Sequence, residues 1–211
     1  AGPATPSGSP SSTPPGSAWA YSNAAIQVLE PVLEAATGTP VKTFARTRLF
    51  EPLDMTHTEM ITDRADNSAL VFYGLRTTCL DLARFGSLYL GGGAADGTRL
   101  LDRDYVTASV GRSSTTHNAA YGHLWWLNRP GALRGATDAV DAQGQPLRPA
   151  MGQLAPFARA DAFAALGFGG QVLLVDPASR TMVIRLGLPA QADEESYDFT
   201  NAATVLTRAL R

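Results

Sequence analysis

Two apolar runs near the end of the chain constrain its fold more than any other feature. Residues 170–175 (Gly-Gln-Val-Leu-Leu-Val) and 181–186 (Thr-Met-Val-Ile-Arg-Leu) flank Asp176-Pro177-Ala178-Ser179-Arg180. Each run is rich in branched aliphatic side chains and too short for a buried helix, and the five-residue link carries turn chemistry. The spacing therefore predicts an antiparallel hairpin. Asp198 to Leu210 then reads as a helix with Phe199, Ala202, Ala203, Leu206 and Leu210 facing inward.

The front of the chain is different. Residues 1–17 are Gly, Pro, Ser, Thr and Ala throughout. Such a composition buries too little apolar surface to offset its chain entropy, so it reads as a flexible loop or tail, with 18–211 forming the folded part. From Ser22 to Thr37 apolar residues (Ala25, Ile26, Leu29, Val32, Leu33, Ala36) recur at three and four, which predicts an amphipathic helix strained at Pro31 and stopped at Gly38. Thr39-Pro40 offers an N-cap with Pro at N1 for a second helix that ends before Glu51-Pro52. Thr78-x-x-Asp81 has the form of a capping box, opening a helix whose Leu82, Phe85 and Tyr89 share a face and which Gly91-Gly92-Gly93 ends. A further short helix is expected within 102–118, and the Gly- and Pro-punctuated stretch 128–160 reads as loop.

Bulk properties remove several functions. With 211 residues, a formal net charge of −2 and basic residues scattered singly, the chain presents no basic face for nucleic acid. No apolar run approaches the roughly 20 residues that span a bilayer, and no signal peptide is visible. One cysteine, Cys79, excludes an internal disulfide and a Cys-rich zinc site and leaves the compartment open; it reads as a small buried hydrophobe. His57, His117 and His123 are not spaced as metal ligands, and nothing in the residues calls for a metal or other cofactor. Asp193-Glu194-Glu195 reads as a solvated turn, and Trp125-Trp126 as a strand pair with one ring in the core and one toward a cleft or solvent.

Two short segments carry candidate chemistry. Tyr21-Ser22-Asn23 is, as a bare tripeptide, a helix start with Ser22 or Asn23 as N-cap. Gly167-Phe168-Gly169-Gly170-Gln171 is, by itself, a β-bulge or a tight entry to a strand. Their flanks give them another meaning. Pro15-Gly16 before Tyr21-Ser22-Asn23, then Leu49-Phe50-Glu51-Pro52-Leu53-Asp54-Met55-Thr56-His57-Thr58, then Gly74 to Gly86, Tyr121-Gly122-His123-Leu124-Trp125-Trp126, and Gly167 to Gln171 followed by Val175-Asp176-Pro177 stand in the order of one family. Together they resemble the β-lactamase-related serine hydrolases, which include class C β-lactamases, D-alanyl-D-alanine peptidases, family VIII esterases and 6-aminohexanoate-dimer hydrolases.

The resemblance implies an α/β (α+β) fold, in which an antiparallel sheet flanked by helices stands beside a mainly helical subdomain and the active site lies between them. It implies a serine that attacks an ester or amide carbonyl and an acyl-enzyme that water then hydrolyses. Tyr21 would be the base, and Asn23 would orient the substrate and the motif lysine. Phe168-Gly169-Gly170 would line the cleft on a strand, and the Gln171 N–H would be one oxyanion donor. The family's Ser-x-x-Lys is absent: the single lysine is Lys42, and three residues before it stands Thr39. The expectation is therefore a chain that lacks its N-terminal part, with the nucleophile supplied by an upstream segment or a complementary chain. Phe168 stands where a lysine would bind a substrate carboxylate, which favours a less charged ester or amide over a β-lactam or peptide. The alternatives are a binding homologue without catalysis, or a β-lactamase or penicillin-binding D-alanyl-D-alanine peptidase.

Overall fold

In a computed structural model of the chain, the described residues are 14, 16–63, 65, 67–136, 148–188 and 197–211. The acidic run 193–195 and most of the 1–17 segment lie outside them.

The first predicted helix is divided. Asn23–Gln27 forms α1, capped by the Ser22 hydroxyl, which accepts from the Ala25 N–H at 3.2 Å, and Leu29–Thr37 forms α2. The break at Val28 follows from Pro31, whose ring has no N–H for the Gln27 carbonyl four residues back. The apolar stripe of α2 faces solvent, with Val28 and Val32 more than half exposed. Gly38 closes α2, and α3 (Val41–Ala45) begins one residue later than Thr39-Pro40 suggests, with Pro40 at the N-cap. No side chain of its own caps α3: Glu34 of α2 accepts from the Val41 N–H at 3.1 Å and satisfies one of the orphan donors. A π-helical turn over Arg46–Phe50 ends the segment and buries Phe50.

Next come the short strands β1 (Glu59–Met60) and β2 (Leu75–Arg76), an antiparallel pair, and then α4 (Cys79–Leu90). Thr78 caps α4 as the sequence implies, accepting from the Asp81 N–H at 3.2 Å. The Asp81 carboxylate, however, does not complete the box. It is fully buried and accepts from the His57 N–H (2.9 Å), the Thr58 hydroxyl (2.8 Å) and Arg84 (2.9 Å). This ties the Met55–Thr58 block to the start of α4. Cys79 is exposed, contrary to the sequence expectation, because the first turn of α4 faces outward there, as the neighbouring Leu80 also does.

After the pair β3 (Ala94–Ala95) and β4 (Thr98–Arg99) comes α5 (Arg103–Gly111), then β5 (Trp126–Leu127). The stretch expected as loop holds a third small pair, β6 (Gly131–Leu133) with β7 (Ala150–Gly152). Its strands are three residues long and carry no alternation, so periodicity had nothing to register. The buried Asn118 and Asn128 anchor it in place of an apolar face. Asn118 bonds Arg134 in both directions, and Asn128 bonds the backbone of Ala155 and Arg159.

The main sheet runs β10-β9-β8-β5, all antiparallel, with β8 at Phe163–Gly167, β9 at Gln171–Asp176 and β10 at Thr181–Arg185. The predicted hairpin is β9–β10. Its runs are apolar throughout because both faces are covered. Val172 and Leu174 join Trp126, Ala164 and the final helix α6 (Phe199–Ala209), while Leu173 and Val175 join Trp125, Leu127 and Phe163 beneath Phe85 and Tyr89 of α4. Phe199, Ala202, Ala203 and Leu206 of α6 are buried as expected, but Leu210, past the helix end, is exposed. A third cluster (Phe50, Leu53, Met55, Leu88) attaches the helical part to the far side of α4.

Candidate active site

Trp125 and Trp126 decide where the candidate residues lie. Adjacent residues of a strand point to opposite faces. Both rings are buried, each within its own core layer, so neither is the solvent-facing partner that the sequence suggested. On the sheet face that also packs α6, Trp126 receives the segment that leads to α1. The Tyr21 ring stacks on it at 6.0 Å with 16° between planes, and Trp19 meets its edge at 6.4 Å. Tyr121 closes the group, bridged to Trp126 through the backbone and meeting Tyr21 edge-on at 5.9 Å. A turn at Gly122–Leu124, with Leu124 in the left-handed region, folds Tyr121 back onto this face.

Two phenols therefore adjoin, and the environment separates them. The Tyr121 hydroxyl is pushed up to about 12, first by burial and then by its proximity to Tyr21. An ionised neighbour disfavours a second negative charge. Tyr121 stays protonated over any physiological range. Asn23, in the first turn of α1, is exposed, and its amide makes no hydrogen bond among the described residues.

The second candidate segment lies elsewhere than on a strand. Phe168-Gly169-Gly170 is the three-residue connection between β8 and β9, closed by the Gly167–Gln171 pair. Gly169 and Gly170 both have φ of 76°, and two consecutive left-handed residues cannot continue a pleated strand, which is why β8 stops at Gly167. Gln171 opens β9, and its side chain is spent on the chain that leaves β10: Nε2 donates to the Gly187 carbonyl (2.6 Å) and Oε1 accepts from the Gly187 N–H (2.9 Å).

Trp126, beneath Tyr21, and the Gly167–Gln171 turn belong to neighbouring strands of one sheet. Trp126 pairs with Ala164 of β8, and Gly167 follows three residues on, about 10 Å along the strand. Leu166 and Tyr21 pack on the same core cluster. Sequence reasoning assigned no role to Tyr121 or Trp19, which surround the phenol; the Tyr121 to Trp126 block was its only signal. Two of the histidines make backbone ties: His57 supplies its backbone N–H to Asp81, and His117 Nε2 lies 3.1 Å from the Gly16 carbonyl, tethering the segment before Tyr21. Among the described residues no group of His, Cys, Asp and Glu is arranged to hold a metal, and no helix is long and apolar enough to cross a membrane.

Residues 4–202 match the family model for β-lactamase, so the chain belongs to the β-lactamase family. It is similar in fold to a protein assigned as a 6-aminohexanoate-dimer hydrolase from Bacillus anthracis (24% identity, TM-score 0.59, 82% of this chain and 38% of that one). It is also similar to a β-lactamase from Mycobacterium bovis (16%, TM-score 0.58, covering 93% and 63%). A third is a β-lactamase/D-alanine carboxypeptidase from Yersinia pestis (16%, TM-score 0.52, covering 94% and 56%). At these identities the likeness is one of fold: the antiparallel sheet with its flanking helices. The chain spans between 38% and 63% of the length of these three proteins.

Proposed function

We propose that these residues are the C-terminal portion of a serine hydrolase that cleaves a carboxylic ester or amide through an acyl-enzyme. The observation that carries this is the position of Tyr21, whose ring is fixed on Trp126 over the sheet face whose neighbouring strand ends in the Gly167–Gly170 turn. The nucleophilic serine and its lysine come from a segment outside these residues. In relatives that are longer than this chain there is room for one, and the solvent-facing stripe of Val28, Leu29, Val32 and Leu33 offers it an apolar seat.

In the reaction, Tyr21 takes the serine proton as the serine oxygen bonds to the carbonyl carbon, and the resulting oxyanion accepts from the Gln171 N–H and from the serine's own N–H. Collapse expels the alcohol or amine, which recovers the proton, and water then attacks the acyl-enzyme by the same route. An ordinary phenol ionises near 10, so the motif lysine must stand close to Tyr21 for this to run near neutrality. Asn23, exposed and unengaged, suits a substrate amide or ester group. Phe168 in place of a cation favours an uncharged acyl part.

The test is labelling of the longest natural form of the protein with a fluorophosphonate, together with a nitrophenyl ester burst. One covalent adduct on the serine of a Ser-x-x-Lys and a burst of matching size are expected. No adduct would support the reading favoured by the absence of that motif here, a binding homologue without catalysis. Rapid turnover of a chromogenic β-lactam would shift the substrate class to β-lactams despite Phe168.

A further inference from the structure

The turn that carries Phe168 ought to be loose: it is three residues long, two of them glycine, and Phe168 itself is 89% exposed. Instead it is tied from below. Arg185, the last residue of β10, donates through Nη1 to the carbonyls of Gly170 (2.8 Å) and Gly169 (3.3 Å) and through Nη2 to Leu188 (3.4 Å). Its guanidinium lies 5.6 Å from the centre of the Tyr197 ring. The Gln171 amide grips Gly187 in both directions. One fork therefore joins the β8–β9 turn, the exit of β10 and the segment before α6. Planarity matters: a guanidinium presents several donors in fixed directions, whereas an ammonium is a point charge on a flexible stem. A side chain at position 170 would displace this arrangement, since a Cβ there would lie 3.2 Å from Arg185 Nη1 and 3.1 Å from Tyr197 Cβ.

We propose that Arg185 is a positioning residue for the acyl site: by holding the carbonyls of Gly169 and Gly170 it fixes the backbone direction of the Phe168–Gln171 segment and keeps Phe168, with the equally exposed Leu188, as an apolar wall beside the reacting carbonyl. The inference rests on the hydrolase reading above. It adds a substrate preference, for acyl groups with an apolar, uncharged end, because Arg185 turns its donors inward to the backbone and leaves hydrocarbon on the outside.

Arg185→Met and Arg185→Lys in the longest natural protein test it with two readouts. Backbone hydrogen exchange over 168–171 should accelerate by about tenfold or more in Arg185→Met, with β9 residues 172–175 still protected, and Arg185→Lys should fall between. Turnover of a medium-chain nitrophenyl ester should drop by about 30-fold in kcat with a smaller change in KM, partly restored by Lys, and the advantage of medium-chain over acetyl ester should shrink. Unchanged exchange at the turn would overturn the tie. Faster exchange with an unchanged kcat would overturn the positioning role. A wild-type protein that never acylates would remove the hydrolase reading and the positioning role with it, and would be recognised as such because exchange at the turn still responds to Arg185→Met.

Discussion

Trp125 and Trp126 make a matched pair of perturbations, one aimed at the site and one at the core behind it. Each ring meets three others: Trp126 touches Trp19, Tyr21 and Tyr121, and Trp125 touches Phe85, Tyr89 and Phe163. Each aromatic pair contributes about 0.5–1.5 kcal/mol beyond its buried area, so replacement by leucine forfeits roughly 1.5–4.5 kcal/mol in either case. The volume difference leaves a cavity of about 60 Å³, adding about 1.5 kcal/mol if the surroundings do not relax. Both variants are therefore expected to lose about 3–6 kcal/mol in urea unfolding. Their effects on activity should part company. Trp126→Leu removes the surface that holds the Tyr21 ring, and a displacement of about 1 Å at a proton-transfer group can cost about 100-fold. Trp125→Leu leaves that face intact and should change kcat/KM by no more than about threefold. The assay is ester turnover by the longest natural protein at a temperature where near-ultraviolet circular dichroism shows both variants folded. Equal losses of activity, or a Trp126→Leu enzyme that keeps its rate, would refute the assignment of Tyr21 to the proton path.

Two further outcomes follow from particular residues. Asp81→Ala should cost about 2–4 kcal/mol, because it strands the His57 N–H beside a buried gap and takes one acceptor each from the Thr58 hydroxyl and Arg84, which keep Thr77 and Asp54, and a urea midpoint shift worth under 1 kcal/mol would contradict the role given to this carboxylate. Stability should also decline in alkali. The unfolded Tyr121 phenol ionises near 10 and the folded one near 12, so between those values the unfolded state binds fewer protons and stability falls as pH rises. Tyr89 and Tyr197, also raised by burial, act in the same direction. The Tyr121 share is at most about 2.7 kcal/mol and nearer 1 after allowance for solvent contact; Tyr121→Phe should flatten the profile of denaturation midpoint against pH above 10, and an unchanged slope would contradict this.

The helices and the hairpin were legible where one residue type controlled the outcome. Pro31 broke the first helix, Thr78 and Asp198 capped α4 and α6 through their side chains, and the unbroken apolar runs of β9 and β10 matched a sheet covered on both sides. What could not be read depended on distant partners. Asp81 looked like a local cap and proved to be a tie to residues 57 and 58, more than twenty positions away. Strands β6 and β7 are three residues long and anchored by asparagines, so no periodicity marks them. Tyr21 and the Gly167–Gln171 turn were found from their flanking motifs, but Trp126 as the platform beneath the phenol, and Arg185 as the tie beneath the turn, follow only from strand pairing.

The central claim is that the Tyr21 phenol and the Phe168–Gln171 turn serve one acyl centre. It is tested most directly by a crystal structure of the longest natural protein carrying a covalent phosphonate. The account predicts a phosphonyl oxygen within about 3 Å of the Gln171 nitrogen and the modified serine oxygen within about 3.5 Å of Tyr21 Oη. A phosphonate bound out of hydrogen-bonding reach of both groups would contradict it.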